Sequence, residues 1–188
     1  MARPKSPEKR QAILDSAVRA IAQSGLGAST AAIAKGAGIA EGTLFTYFAT
    51  KDALFNELYG ELKSATYRRI NEEFPGEARL RDRARHIWRQ TLQLAVEMPE
   101  ARKASIQLNL SETINAETRD RLIGDRAAVD QAMSELSKRG AFKDLPAGFA
   151  AAAMSAMQQA VLDSIAKDPK KRATLIEEGF NAFWQMAK

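Results

Sequence analysis

Apolar residues at helical spacing, interrupted by glycine and proline, are the feature that most constrains this chain. They recur three and four positions apart, and no segment alternates apolar and polar residues over the length of a strand. Pro99, Gly140, Pro146 and Pro169 interrupt the pattern. The sequence therefore predicts an all-α fold of about nine helices, at residues 7–24, 29–37, 40–48, 50–74, 79–98, 100–110, 116–138, 146–167 and 169–187.

Composition narrows the class of protein further. Hydrophobic residues make up 45% of the 188, which is enough for a substantial core. The sequence has no cysteine, so disulfides and thiolate metal sites are excluded. The charged segment at residues 1–11 predicts no signal peptide, and no apolar run has the length of a membrane span. We expect a cytoplasmic protein with no membrane contact.

The positive charge is concentrated at one end of the sequence. Residues 1–51 contain seven lysines and arginines against three acidic residues, whereas the whole chain has a formal net charge of only +5. A small basic segment attached to a nearly neutral body is typical of a polyanion contact.

Two short predicted helices, 29–37 and 40–48, have the spacing of a helix-turn-helix. Gly38 stands where the turn between them needs a positive φ. In this motif the second helix enters the major groove of DNA. Leu44, Phe45 and Phe48 are predicted to face the core. The opposite row, left free to meet DNA, is Glu41, Gly42, Thr43, Thr46 and Tyr47.

Residues 6–54 resemble the DNA-binding domain of the tetracycline-repressor (TetR) family of bacterial transcription regulators. The resemblance implies a DNA-binding domain at residues 1–50, with three helices including the helix-turn-helix. It also implies a C-terminal helical bundle at 51–188 for ligand binding and dimerisation. The matching residues are Ser29 with Ile33 and Ala34, Ala37 to Ile39, the segment GTLFTYF at 42–48, Lys51 and Leu54.

The resemblance assigns roles to individual residues of the motif. Hydroxyl or ammonium groups of Ser29, Thr43, Tyr47 and Lys51 would hold phosphates, which makes binding salt-dependent. Gly42 would let the backbone approach DNA, and Glu41 and Thr46 would contact base edges. The predicted DNA-binding residues are Ser29, Thr30, Glu41, Gly42, Thr43, Thr46, Tyr47 and Lys51.

Three positions depart from the family pattern. Ala31 replaces a frequent basic residue, Ala40 replaces a common Ser and gives up an N-cap worth about 1 kcal/mol, and Phe45 replaces a frequent Tyr. These departures affect the expected operator sequence and affinity rather than the fold. The N-terminal arm is expected to compensate in part by reaching phosphates or a minor groove, through Arg3, Lys5, Lys9 and Arg10.

The last two predicted helices point to a homodimer. The helix at 169–187 carries apolar residues on more than one face, so it needs partners on two sides, and the preceding helix carries small residues that permit close approach. The resemblance implies a four-helix bundle with a second subunit; the alternative is an ordinary core helix of a monomer. The predicted interface is Ala152, Ala156, Ala160, Leu175, Gly179, Phe180, Phe183 and Trp184.

The resemblance also implies a ligand pocket within the larger domain. Apolar stripes at helical spacing are equally typical of core packing, so both interpretations of the candidates stay open. The candidates are Trp88, Thr91, Leu92, Ala95, Met98, Ile106, Asn109, Val129, Met133, Met154, Met157 and Gln158.

Catalytic and metal motifs are missing from the sequence. The single histidine, His86, lies on a polar helical face and is predicted to be solvated, as is the arginine-rich stretch at 79–89. No Gly-rich phosphate loop or HExxH motif is present. We therefore expect a protein that is not an enzyme and has no cofactor.

These observations give one leading hypothesis for the function. It is a homodimeric, ligand-responsive transcriptional regulator, most simply a repressor that binds a near-palindromic operator and is released by a small apolar effector. The alternative is a small-molecule-binding or protein-interaction module that keeps the helix-turn-helix only as structure, without operator binding.

Overall fold

A computed structural model describes residues 6–188, and this part of the chain contains ten α-helices and no strand. Short 3-10 turns lie at Gly25–Gly27, Gly140–Phe142 and Pro169–Lys171. The helices are α1 (Pro7–Ser24), α2 (Thr30–Gly36), α3 (Glu41–Tyr47), α4 (Lys51–Asn71), α5 (Leu80–Glu97), α6 (Pro99–Asn109), α7 (Ala116–Asp120), α8 (Ile123–Leu136), α9 (Phe149–Lys167) and α10 (Arg172–Gln185).

The all-α fold is confirmed, and one predicted helix is wrong. The segment 116–138 forms two helices, α7 and α8, with a turn at Arg121 and Leu122 between them. The Leu122 side chain is buried, and the chain passes from one compact unit to the next after Ile123. The sequence predicted a single helix because its helical period continues through this turn, and no glycine or proline marks the turn before Gly124.

The chain forms two compact units. The first extends to Ala65 and includes Met98–Ile123; the second consists of Thr66–Glu97 and Gly124–Lys188. Helix α4 contributes residues to both units. The functional division expected at residue 50 stays a prediction, since compactness alone does not test it.

In the first unit, α1 packs against α2 and α6, and α2 packs against α3. Helix α1 begins at Pro7 because the Ser6 hydroxyl accepts a hydrogen bond from the Lys9 amide, and proline suits the first helical position. Close packing of α1 on α2 uses Ser16, whose hydroxyl donates to the Ile33 carbonyl at 2.8 Å. The buried side chains include Ile13, Leu14, Ile21, Ile33, Leu44, Leu54, Phe55, Leu58, Ala104 and Leu108.

A buried amide joins α4 to α7 in the same unit. The Asn56 Nδ2 group donates to the carbonyls of Asp52 (2.8 Å) and Thr113 (2.9 Å). Its Oδ1 atom accepts from the Asn115 amide (3.0 Å) and the Thr118 hydroxyl (2.9 Å). The side chain thus uses its full hydrogen-bonding capacity, which offsets the cost of burying it.

The second unit is built around Trp88 on α5. Its indole nitrogen donates to the Ile176 carbonyl at 2.8 Å, and its ring contacts Phe180 and Phe183 of α10. Helices α5, α9 and α10 pack against one another here. The core includes Leu80, Ile87, Leu92, Leu136, Phe142, Met154, Val161, Ile165, Ile176, Phe180, Phe183 and Trp184.

Gly179 permits the close approach of α10 to its neighbours. A Cβ atom added there would lie 2.5 Å from Val161 Cγ2 and 3.1 Å from Trp88 Cζ2, distances that require the neighbours to move. The position predicted for a dimer interface therefore serves packing within the chain.

Arg79, Arg81 and Arg89 are exposed, as expected for the arginine-rich stretch, but the expectation of solvated side chains fails at Arg83 and His86. Arg83 is buried and makes a two-point contact with Glu135 of α8, at 3.0 and 2.5 Å. This hydrogen bond lowers the pKa of the Glu135 carboxyl. His86 is partly buried, with Nε2 2.7 Å from the Ile70 carbonyl and its ring edge against Phe74. The helical period places these residues on one face but does not show what packs on it.

None of the helices in residues 6–188 is both long enough and apolar enough to cross a membrane.

Replacing Gly179 with alanine is expected to lower the free energy of unfolding by about 1–3 kcal/mol, because the added methyl group overpacks the contact with Val161 and Trp88. Chemical denaturation followed by Trp fluorescence measures the change. Gly124→Ala is the control, since nothing lies within 4 Å of a Cβ at that position. Equal stability of Gly179→Ala and the wild type would contradict the packing role.

Candidate nucleic-acid interface

Local hydrogen bonds define the helix-turn-helix. The Ser29 hydroxyl caps α2 by accepting from the Ala32 amide at 3.1 Å. Gly38 has a φ of +69°, the positive value predicted for the turn between the two helices. The Ile39 amide donates a hydrogen bond to the Ala34 carbonyl at 3.0 Å. Helix α3 begins after Ala40, which makes no side-chain cap. The turn thus fixes the direction in which α3 leaves α2.

Helix α3 faces the core with fewer side chains than the sequence predicted. Leu44 and Phe48 are buried, but Phe45 is 42% exposed, so its assignment to the inward row is wrong. Residues 44 and 48 are four apart and share a face, whereas residue 45 is rotated by about 100° from residue 44. Phe45 lies instead toward the face of Glu41, four positions before it.

The predicted DNA-facing residues of α3 do reach the surface. Glu41, Gly42 and Thr46 are exposed, and Thr43 and Tyr47 are partly buried. A Cβ built on Gly42 meets nothing within 4 Å, so the backbone there is open to a ligand as well as to solvent. The Thr46 hydroxyl donates to the Gly42 carbonyl at 3.2 Å.

Glu41 and Thr30 form a contact across the two helices of the motif. The Thr30 hydroxyl donates to Glu41 Oε1 at 2.5 Å. Both residues were predicted to contact DNA, and the structure shows that they contact each other. The Glu41 carboxylate thus holds α2 and α3 together at their outer edge.

Tyr47 connects the second helix of the motif to the start of the first helix of the chain. Its hydroxyl accepts a hydrogen bond from the Ser6 amide at 3.0 Å. Ser6 is also the N-cap of α1, and its hydroxyl donates to Glu8 at 2.5 Å, which lowers the pKa of that carboxyl. A phenol at this position therefore positions α1 as well as presenting a hydroxyl at the surface.

Lys51 is held by the chain itself. Its ammonium group donates to the Leu26 carbonyl at 2.8 Å and lies 5.1 Å from the centre of the Phe55 ring. The Thr50 hydroxyl caps α4 by accepting from the Ala53 amide at 3.0 Å. Lys51 therefore places a positive charge at the first turn of α4, next to the loop that precedes α2.

Only some of the basic residues of the N-terminal arm remain available to contact DNA. Arg10 forms ion pairs with Glu57 and Glu61 of α4, and its guanidinium lies 5.8 Å from the Phe48 ring centre. It therefore joins α1 to α4 rather than extending to DNA. Lys9 is exposed, and Arg3 and Lys5 lie outside the described residues.

Sequence reasoning missed the supporting partners of this surface. Ser6, Leu26 and Glu57 contact predicted DNA-binding or basic residues from 41, 25 and 47 positions away in the sequence. No local pattern marks such pairs, since two of them involve main-chain atoms, an amide and a carbonyl, that every non-proline residue carries.

The residues predicted for a dimer interface separate into two groups. Ala152, Ala156 and Ala160 are exposed on one face of α9, and Leu175 is partly exposed. Phe180 and Phe183 have no exposed surface, because they pack on Trp88 within the chain. Trp184 is nearly buried and stacks on Phe180. The dimer stays a prediction that rests on the alanine face.

The predicted pocket residues also fall in different places. Met98, Ile106 and Asn109 belong to the first compact unit, and the other nine belong to the second. Trp88, Leu92, Ala95, Met154 and Gln158 are buried, whereas Thr91, Val129, Met133 and Met157 are partly buried. The Gln158 Nε2 atom is buried without a hydrogen-bond partner. The pocket stays a prediction.

No group of three or more His, Asp or Glu side chains in residues 6–188 is arranged to hold a metal ion.

The helix-turn-helix, with an exposed polar row on its second helix, defines a DNA-binding protein of the regulator class. Residues 13–58 match the family described as bacterial regulatory proteins, tetR family. Residues 13–58 are thus similar to the regulatory domain of the tetR family, and this similarity supports a DNA-binding transcription regulator.

Solved structures confirm the fold over nearly the whole chain. A TetR family regulator from Marinobacter aquaeolei VT8 is 22% identical with a TM-score of 0.78, covering 95% of both chains. One from Shewanella sp. PV-4 is 24% identical with a TM-score of 0.77, covering 94% of this chain and 96% of that one. FadR from Bacillus subtilis, in complex with stearoyl-CoA, is 18% identical with a TM-score of 0.65, covering 92% and 96%.

Lys51→Gln is expected to lower the free energy of unfolding by about 1–2 kcal/mol, because the charged hydrogen bond to the Leu26 carbonyl is lost. Urea denaturation measures the change. Lys35→Gln is the matched control on the exposed face of α2 and should leave stability nearly unchanged. If both variants are equally stable, Lys51 does not support the fold.

Proposed function

We propose that this protein is a homodimeric repressor that binds a near-palindromic operator and releases it when a small apolar effector binds. The observation that carries the proposal is the exposure of Glu41, Gly42 and Thr46 on the outward face of α3, whose opposite face is buried in the core. A helix with this arrangement presents hydroxyl, carboxylate and open backbone to the major groove.

The internal hydrogen bonds of the motif leave donor and acceptor atoms of its side chains free to contact DNA. The Ser29 hydroxyl accepts from Ala32 and can still donate to a phosphate oxygen. The Glu41 carboxylate accepts from Thr30 through one oxygen, and its second oxygen can accept from cytosine N4. Contact with Thr30 would fix the direction of this acceptor, which favours specificity over affinity.

A second copy of the chain would cover the alanine face of α9. Ala152, Ala156 and Ala160 recur at four-residue spacing and are exposed, so they permit close approach of another helix. Two helix-turn-helix motifs related by a two-fold axis would then bind half-sites one helical turn apart, or a multiple of that distance.

Helix α4 is the element through which an effector would act on DNA binding. It begins at Lys51, next to the recognition helix in sequence, and its residues from Thr66 onward belong to the second unit. A shift of α4 would change the separation of the two recognition helices, provided that the effector binds the two states with different affinity. Stearoyl-CoA in the FadR structure supports an effector with an apolar part.

Thr46→Glu should weaken binding to operator DNA by about tenfold or more, because it adds a negative charge to the surface that meets phosphates. The wild type is first used to select bound fragments from genomic DNA, and fluorescence anisotropy then measures affinity for the selected site. Ala127→Glu, which adds the same charge on the exposed face of α8, is the control. Affinity of the wild type should also fall steeply with salt.

The same experiment distinguishes the alternative, a helical interaction module without operator binding. Such a module would select no fragment, and Thr46→Glu and Ala127→Glu would behave alike. Selection of a defined sequence, lost only in Thr46→Glu, supports the regulator.

Ala156→Glu is expected to convert the dimer to a monomer at micromolar concentration, since a carboxylate would be buried between two copies of α9. Sedimentation velocity measures the oligomeric state, again with Ala127→Glu as the control. A wild-type protein that sediments as a monomer at this concentration would overturn the proposed dimer.

A further inference from the structure

Phe45 lies exposed on the helix that is predicted to enter the major groove. Its side chain is 42% exposed, whereas Phe48 and Phe55, the other two phenylalanines of the first compact unit, are buried. It follows the fully buried Leu44, and one step along a helix turns a side chain by about 100°. Glu41, four positions earlier, is exposed on the same side of α3. The ring therefore belongs to the surface that is predicted to meet DNA.

An exposed phenylalanine is not by itself a sign of a binding site, because single apolar side chains are common on protein surfaces. Phe45 differs in its position and in its contacts. Among the described residues of the helix-turn-helix, 30–47, it is the one large apolar side chain that is exposed. Within residues 6–188 its ring makes no aromatic or cation–π contact, so no such contact explains an aromatic residue there.

The surface beside the ring is open. Gly42 lies three positions before Phe45, so the two residues are neighbours on the surface of the helix. Glycine has no side chain to cover the ring, and nothing lies within 4 Å of a Cβ built at Gly42. On the opposite side, Leu44 and Phe48 are buried in the core and fix the helix that carries the ring. The ring is therefore accessible to the edge of a base.

A phenyl ring is complementary to only one group of the major groove. It has no hydroxyl or amino group, so it cannot hydrogen-bond to a phosphate oxygen or to the polar edge of a base. Among the groups that the base pairs display in this groove, the C5-methyl group of thymine is the apolar one. Contact between the methyl group and the ring removes apolar surface of both from water. Such a contact discriminates between bases without adding a charge to the interface.

We propose that Phe45 determines part of the operator sequence by packing against the C5-methyl group of a thymine in each half-site. The inference rests on the proposed function, since it needs operator DNA with α3 in its major groove. Glu41 and Phe45 are four residues apart, which is roughly 6 Å along the helix axis. This distance corresponds to about two base steps of DNA. The thymine is therefore expected within about two base pairs of the cytosine that Glu41 is proposed to contact.

Deoxyuridine in place of thymine tests the contact, because it removes only the C5-methyl group and keeps the base pair. The full-length wild type first selects bound fragments from genomic DNA, and the thymines of the selected site are then replaced one at a time. Fluorescence anisotropy measures the affinity for each duplex. Replacement at one position of each half-site should weaken binding by the wild type about fourfold per site, the loss expected for one buried methyl group.

Phe45→Ala is the variant that connects the methyl group to the ring. It should bind the thymine and deoxyuridine duplexes equally at that position, because the ring that contacts the methyl group has been removed. Leu110→Ala is the matched control: it also shortens an exposed apolar side chain of the first compact unit, and it should keep the fourfold difference. Each protein is compared with itself on two duplexes, so a smaller folded fraction of a variant does not change the ratio.

Two results would overturn the proposal. Equal affinity of the wild type for every deoxyuridine duplex would show that no thymine methyl group is contacted, and this result needs no variant. An undiminished difference in Phe45→Ala would show that another residue contacts the methyl group. Either result can occur while the operator is bound tightly, so the proposed function would stand. Selection of no genomic fragment would instead overturn the proposed function and this inference together.

Discussion

The buried amide of Asn56 is the constraint on which much of the first compact unit depends. All four of its hydrogen-bonding positions are used, on α4, on the loop after α6 and at the start of α7. An amide buried without these partners would cost about 1–3 kcal/mol, so the observed register of α7 against α4, which supplies them, is favoured. That register places Arg119 beside Tyr59, and Tyr59 lies one turn before Lys63. The hydrogen-bond network thus brings the side chains of Lys63 and Arg119 to the same aromatic ring.

The predicted DNA-facing surface is stabilised by the same side chains that are expected to bind DNA. Tyr47 accepts from Ser6, Lys51 donates to Leu26, and Glu41 accepts from Thr30. Each contact restricts a side chain before DNA is present, which reduces the entropy lost on binding. It also means that loss of DNA binding in a variant of Tyr47 or Lys51 would mix a structural effect with a lost phosphate contact. Thr46 bonds only to the backbone of its own helix, so its substitution tests the surface more directly.

Particular residues show how far sequence reasoning reached. The positive φ of Gly38 was predicted and is present. Like the caps at Ser29 and Thr50, it depends on atoms within four residues. Phe45 was assigned to the wrong face, since a seven-residue helix has too few turns to define its apolar direction. Phe180 and Phe183 were expected at an interface, but Trp88, nearly a hundred residues earlier, buries them. Periodicity shows that a face is apolar and not which surface covers it.

The sequence by itself determined most of the helical elements, the helix-turn-helix and the resemblance of the N-terminal domain to a known family, since these depend on local periodicity, on caps and on a short ordered motif. Only the tertiary structure decided which charged and polar groups meet. Arg10 pairs with Glu57 and Glu61, Arg83 pairs with Glu135, and the cationic groups of Lys63 and Arg119 lie over the Tyr59 ring. The physical reason is that electrostatic and hydrogen-bonding partners are chosen by distance in space. Helices of similar composition place the same residues in many arrangements until the core fixes one.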